Sequence, residues 1–161
     1  MEPILSKSIA VADDRGVFSA TSIEDKRWIQ TNVSYNRVKD VFRGMHLQKG
    51  EFAQDKLVKV VNGSIVDMIV DLRKGDNYLK LYTYHMEIGD ELLVPKGFAH
   101  GFLTLEEHTV VQYLVDAPYR PSADVSLNWK SFKGIREMYE GQEFLMSPKD
   151  ANAPDFGTVE I

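Results

Sequence analysis

A chain of 161 residues, 43% hydrophobic and 27% charged, with a formal net charge of −5, reads as one globular domain over residues 1–161 with room for a substantial core. Its 19 basic residues form no block, which excludes a nucleic-acid-binding surface of the usual kind, and no apolar run approaches a membrane span. Without cysteine there is no disulfide, no thiolate nucleophile and no cysteine-bound zinc; with an N-terminus lacking a basic segment followed by a long apolar one, this suits a cytoplasmic protein.

In chain order, IEDKRW (23–28) has the composition of a helical turn, and WIQTNVSYN (28–36) alternates like a strand. VFRGMHLQ (41–48) is a strand that carries Arg43, Gly44 and His46 inside an apolar run. Strict alternation would put Arg43 and His46 on opposite faces, and a bulge at Gly44 would re-aim them. DKLVKVVNGSIVDMIVDL (55–72) reads as a hairpin turning at Asn62-Gly63. That pairing puts Lys56, Val58, Val60, Ile65, Asp67 and Ile69 on one face, with Lys56 and Asp67 as diagonal neighbours. The charged pair is either a rim salt bridge or a lysine held charged inside a cavity for an anion. LKLYTYHME (79–87), ELLVPKGFAHGFLTL (91–105) and HTVVQYLVDA (108–117) continue the strand pattern. SFKGIREMYEG (131–141) predicts a short helix broken at Gly134, and the tail after Ala153 a loosely held end. Many short strands with regular turns indicate an all-β sandwich, jelly roll or barrel.

GDELLVPKGFAHGF (89–102) matches the second cupin motif: glycine, five residues, proline, any residue, glycine, two residues, histidine. With FRGMHLQ, AQDKLVKVVNG, VDMIVDLRK, QYLVDAPY and SPKDANAP, in order from DDRGVF (13–18) to NAP (152–154), the chain resembles the dTDP-4-dehydrorhamnose 3,5-epimerase family. The resemblance implies a cupin jelly roll (a double-stranded β-helix) with short peripheral helices, a homodimer, and an active site in the barrel that needs no metal or other cofactor. It also implies a nucleotide-linked 4-keto-6-deoxy sugar as substrate and a place in deoxysugar and polysaccharide biosynthesis. The residues agree on the metal. Metal cupins usually supply His-x-His with a nearby glutamate from the first motif; this chain offers His46 alone there, with Glu51 and Gln54 as oxygen donors.

Epimerisation beside a ketone needs a base, a group to stabilise the enolate and an acid on the opposite face. An imidazole suits the base, and the resemblance assigns it to His46 with Asp150 as its partner. Lys56 suits the enolate stabiliser, with Asp67 keeping it protonated, and Tyr113 suits the acid. The resemblance further implies that Arg43 grips the diphosphate, that His100 and Tyr119 contact sugar and nucleotide, and that Arg15, Gln30, Asn32 and Asp124 serve the nucleotide side, Arg15 at or across a dimer interface. A lone reading of His46, His100 or Tyr113 would instead make each a hydrogen-bonded structural residue.

The chain departs from the family pattern in places. Gln30-Thr31-Asn32-Val33 stands where Gln-Asp-Asn-His is common, Ala20 replaces a glutamate, and Asp55 adds an anion beside Lys56. The first two lie on the nucleotide side, so thymidine is the default base with others open. The alternatives are an epimerase of C3 or C5 only on another nucleotide sugar, a sugar 3,4-ketoisomerase, a non-catalytic sugar-nucleotide-binding cupin, and a metal-dependent cupin oxygenase.

Overall fold

The computed structural model describes residues 1–14, 16–21 and 27–160. Arg15 and most of the helical turn expected at 23–28 lie outside the described residues. Two five-stranded antiparallel sheets carry the architecture. The first orders β1 (Ile4–Lys7), β9 (Asp90–Val94), β6 (Lys56–Asn62), β11 (Thr109–Val115) and β4 (Gln30–Asn36). The second orders β12 (Asp124–Ser126), β5 (Phe42–Gln48), β10 (Phe98–Thr104), β7 (Ser64–Asp71) and β8 (Leu81–Glu87). A separate two-stranded ribbon joins β2 (Ile9–Asp13) to β3 (Gly16–Ala20).

Two apolar cores follow from the strand alternation. Val58 and Val60 of β6, Leu92 and Val94 of β9, and Val111 of β11 meet Ile65, Ile69, Met86, Phe98 and Phe102 of the second sheet in the space between the sheets. The outer face of the second sheet buries Phe42, Met45, Leu47, Met68, Val70 and Leu103 beneath Trp129, Phe132, Ile135 and Tyr139. Those covering residues come from a 3-10 turn (Trp129–Ser131), helix α1 (Lys133–Met138) and the two residues that cap that helix, Phe132 and Tyr139. Strand β7 is apolar almost throughout because both its faces are covered. Gly134 does not break the helix. It sits in the first turn of α1, where its missing side chain admits Leu81.

The Asn62-Gly63 hairpin is not formed. β6 pairs with β11 and β9, whereas β7 pairs with β10 and β8, so this two-residue corner carries the chain from one sheet to the other. Gly63 has φ +76°, and a Cβ there would collide with Thr109. The face assignment nonetheless survives. Strand alternation turns Lys56, Val58 and Val60 inward from one sheet and Ile65, Asp67 and Ile69 inward from the other, so the two sets face each other across the interior.

Strand β4 reverses the usual pattern. Gln30, Asn32 and Ser34 are partly covered, while Thr31, Val33 and Tyr35 are exposed. Polar groups therefore face the space between the sheets, and apolar groups face outward.

Candidate active site

The strand β5 is held between β10 and β12, with His46 opposite His100 on one side and Ser126 on the other. Between His100 and Phe102 the ladder slips: His46 faces His100, but Arg43 faces Phe102. Three steps on β5 thus match two on β10, which is a β-bulge. Gly44, at φ +137°, lies inside it. The extra residue cancels the alternation, so Arg43 and His46 line the same cavity, while Phe42 and Met45 both enter the outer core.

His46 Nε2 lies 2.6 Å from Asp150 Oδ1. That carboxylate arrives on a short helical turn, α2 (Pro148–Ala151). Ser147 caps the turn, its Oγ accepting from the Asp150 N–H at 3.1 Å, and Pro148 occupies the first helical position. The other carboxylate oxygen of Asp150 accepts from the Gly44 N–H at 3.4 Å. Burial pushes the Asp150 carboxyl up, but the hydrogen bond and charge of His46, with Gly44 and Ser147, outweigh it and hold the group below the ordinary carboxylate range.

Lys56 and Tyr113 stand on the facing sheet. Lys56 is opposite Val115 and Tyr113 opposite Val58, which makes the two inward side chains diagonal neighbours. Burial lowers the Lys56 ammonium to about 8, against the raising charges of Asp67 and Asp124. Asp67 does not pair directly with Lys56, as the hairpin reading expected. Its Oδ2 is 2.8 Å from His100 Nε2, its buried Oδ1 has no hydrogen-bond partner among the described residues, and it acts on Lys56 through its charge. Burial raises the Tyr113 phenol; Arg43 opposes that rise and Asp124 adds to it.

Two lobes meet at these residues. A lobe of about 500 Å³ is lined by Arg43, His46, Lys56, His100, Phe102 and Tyr113, with Ser147, Lys149 and Asp150 at its side. A lobe of about 180 Å³ shares His46, Lys56, Tyr113 and Lys149 and adds Gln30, Asn32, Gln48, Gln54, Tyr119 and Asp124. The structure thus brings His46, Lys56, Tyr113 and Asp150 to one cleft, with Arg43 and His100 in the larger lobe and Gln30, Asn32, Tyr119 and Asp124 in the smaller. Arg43 donates from Nε to Asn36 Oδ1 at 2.8 Å. Its terminal nitrogens have no partner among the described residues. The Gln30 amide donates to Asn32 Oδ1 at 2.7 Å, and the Tyr119 hydroxyl donates to Asp124 Oδ2 at 3.1 Å.

Asp55 does not crowd Lys56. Its carboxylate takes the Arg27 guanidinium at 3.1 Å and the Lys96 N–H at 2.7 Å, tying two loops together. Lys149 and Gln48 are cleft residues that the sequence does not single out. Lys149 lines both lobes and forms an ion pair with Asp124; its only sequence signal is its place between Pro148 and Asp150. Gln48 holds the loop that carries Tyr119, accepting from the Arg120 N–H at 2.6 Å and donating to Pro118 O at 3.1 Å. Its signal is a polar residue buried at a strand end. Among the described residues no three His, Asp or Glu side chains cluster as metal ligands do.

Residues 4–158 match the family described as dTDP-4-dehydrorhamnose 3,5-epimerase. The chain belongs to that family. It is 35% identical over 160 residues to the dTDP-4-dehydrorhamnose 3,5-epimerase of Sinorhizobium fredii, spanning 92% of this chain and 82% of that protein. To the same enzyme of Escherichia coli K12 it is 33% identical over 150 residues, spanning 86% and 80%. The crystal structure of the Bacillus anthracis epimerase, with TDP and PPi bound, superposes with a TM-score of 0.85 at 35% identity, covering 96% of this chain and 94% of that one. The two facing sheets are accordingly the cupin jelly roll of this epimerase family, and the helices are short and peripheral.

Proposed function

We propose that the protein is an isomerase that epimerises a dTDP-linked 4-keto-6-deoxy sugar at C3 and C5, without a metal or redox cofactor. The single observation that carries this reading is the cleft in which an imidazole on one sheet, paired with the carboxylate of α2, faces an ammonium and a phenol on the other sheet. Curated relatives with this name cover most of the chain, and the related Legionella pneumophila structure holds dTDP-4-keto-L-rhamnose.

His46 takes the hydrogen from the carbon beside the ketone as a proton. The C–H electron pair becomes the enolate double bond, and the carbonyl pair moves onto O4. Asp150 fixes the imidazole orientation and balances the imidazolium. The Lys56 ammonium faces the developing oxyanion in a water-poor cavity, where such a charge has its largest effect. Tyr113 then gives its proton to the same carbon from the other face, using the enolate pair. A phenol kept protonated by burial suits that task. The imidazolium and phenolate reset by exchange with solvent.

Arg43 of β5 and Lys149 of the neighbouring turn α2 are the cations for the diphosphate, and Gln30, Asn32, Tyr119 and Asp124 shape the nucleotide end. His100 contacts the sugar. Residues 1–161 act as one cytoplasmic domain in a homodimer. The outward apolar face of β4 and the exposed Val11, Val17 and Phe18 of the β2–β3 ribbon support the dimer. Incubation with dTDP-4-keto-6-deoxyglucose in deuterated water tests the reading: deuterium is expected at both C3 and C5. Exchange at one carbon only would replace it with a mono-epimerase, and tight binding without exchange with a binding protein.

A further inference from the structure

Resting on the epimerase reading, we propose that Gly101 is a positioning residue for the reaction: its missing side chain is the space into which the Gly44 bulge folds, and that bulge turns Arg43 and His46 into one cavity. Gly44 and Met45 of β5 together stand opposite Gly101 of β10, because the register jumps from His46–His100 to Arg43–Phe102. The two backbones touch at this point. A Cβ on Gly101 would lie 2.7 Å from Arg43 O, 2.9 Å from Met45 Sδ and 3.1 Å from Gly44 Cα. A Cβ on Gly44 would lie 2.6 Å from Gly101 Cα.

These contacts separate two demands. Gly44 needs both its left-handed φ and the space, whereas Gly101 needs the space alone, since its own φ lies outside the left-handed region. The nearest obstacle to a Gly101 side chain is backbone, the carbonyl of Arg43, which cannot swing aside as a side chain can. Relief would come by moving β5 at the bulge, and the two groups aimed by the bulge are the diphosphate cation and the base. A displacement of about 1 Å there is enough to cost about 100-fold in rate.

The test is Gly101→Ala, compared with Gly134→Ala. Gly134 lies in α1 on the far side of the second sheet, where a Cβ meets the mobile end of Leu81 at 2.8 Å. Deuterium exchange on dTDP-4-keto-6-deoxyglucose and dTDP affinity by calorimetry are measured for both. The expected result for Gly101→Ala is a fall of about 100-fold in kcat together with about 10-fold weaker dTDP binding, with the acid limb of the kcat/KM profile moved because the His46–Asp150 geometry has changed. Gly134→Ala is expected to keep wild-type values of all three. Wild-type kcat in folded Gly101→Ala, equal losses in both variants, or recovery of activity when Met45→Ala is added would each overturn the proposal, the last by placing the effect in side-chain crowding. If Gly101→Ala does not fold, a nuclear Overhauser contact between the α-hydrogens of Gly44 and Gly101 in the wild-type protein is the remaining check, and its absence overturns the proposal. Silence of the wild-type enzyme in the exchange assay would instead defeat the epimerase reading, while the dTDP measurement and the proton contact still test the positioning.

Discussion

The cleft holds two imidazole–carboxylate pairs, and they differ in everything but their chemistry. His46 is 31% exposed at its side chain and its carboxylate, Asp150, is satisfied on both oxygens, by the imidazole and by the Gly44 N–H. His100 is 8% exposed, and its carboxylate, Asp67, is fully buried with one oxygen unpartnered among the described residues. The first pair joins residues 104 positions apart through a capped helical turn. The second joins neighbours on adjacent strands, β10 and β7. A histidine that must meet a substrate, take a proton and release it needs an open face and a well-satisfied partner, which is the condition of the first pair. The second pair is built into the wall, where its charge reaches Lys56.

The comparison breaks most directly at the open pair. His46→Ala is expected to lower exchange at both C3 and C5 by about 10³- to 10⁴-fold, the upper range for loss of a general base; full turnover in this variant would remove His46 from the role. Asp150→Asn should cost somewhat less in kcat. It should also flatten the stability profile in acid. Because the folded Asp150 is held below the ordinary carboxylate value, its contribution is present above that value and is lost as pH falls through the lowered one. Denaturant titrations between neutral and strongly acid pH measure this, and an unchanged acid slope would contradict it.

Lys56→Met probes the charge that the closed pair supports. A loss of about 10²- to 10³-fold in kcat is expected, with a higher melting temperature, since a costly buried charge is gone. The same group sets an alkaline limb. The ammonium is lost as pH rises through about 8, so kcat should decline above that pH. The limb should move to lower pH in Asp67→Asn, where a raising charge has been removed. A fixed limb in that variant would separate the closed pair from Lys56. Tyr113→Phe sharpens the division between the two sheets: proton loss and exchange should persist while inversion slows. The smallest effect belongs to Lys149→Ala at the exposed rim, expected to raise KM by about 10-fold or less with little change in stability, because the lysine end of its ion pair with Asp124 is open to solvent.

Several of these groups were legible in the chain itself, for reasons that can be named. Lys56 and Asp67 were assigned to one interior from alternation alone, and the assignment survived a wrong pairing because side-chain direction in a strand depends on parity and not on the identity of the neighbouring strand. Gly44 marks the place where alternation must fail, by a bulge or by an end of the strand, and only the register against β10 decides for the bulge. Alternation pairs Asp67 with Lys56, whereas its actual partner, His100, comes from a strand 33 residues away that no local pattern brings beside it. Lys149 carries no signal beyond its place between Pro148 and Asp150, since a lysine in a short helical turn is ordinarily solvated and only the walls around it make it part of a cleft.

By itself the order of residues determined the strand content, the inward and outward faces, the cupin motif and the types of chemical group available. Those properties are local: they follow from the two-residue period of a strand and from the ordinary chemistry of each side chain. Only the tertiary structure decided that Asn62-Gly63 crosses between sheets, that β5 slips by one residue against β10, and that Asp150 reaches His46. Each of those depends on contacts between segments far apart in the chain, whose register is fixed by the packing of two cores and not by any local preference.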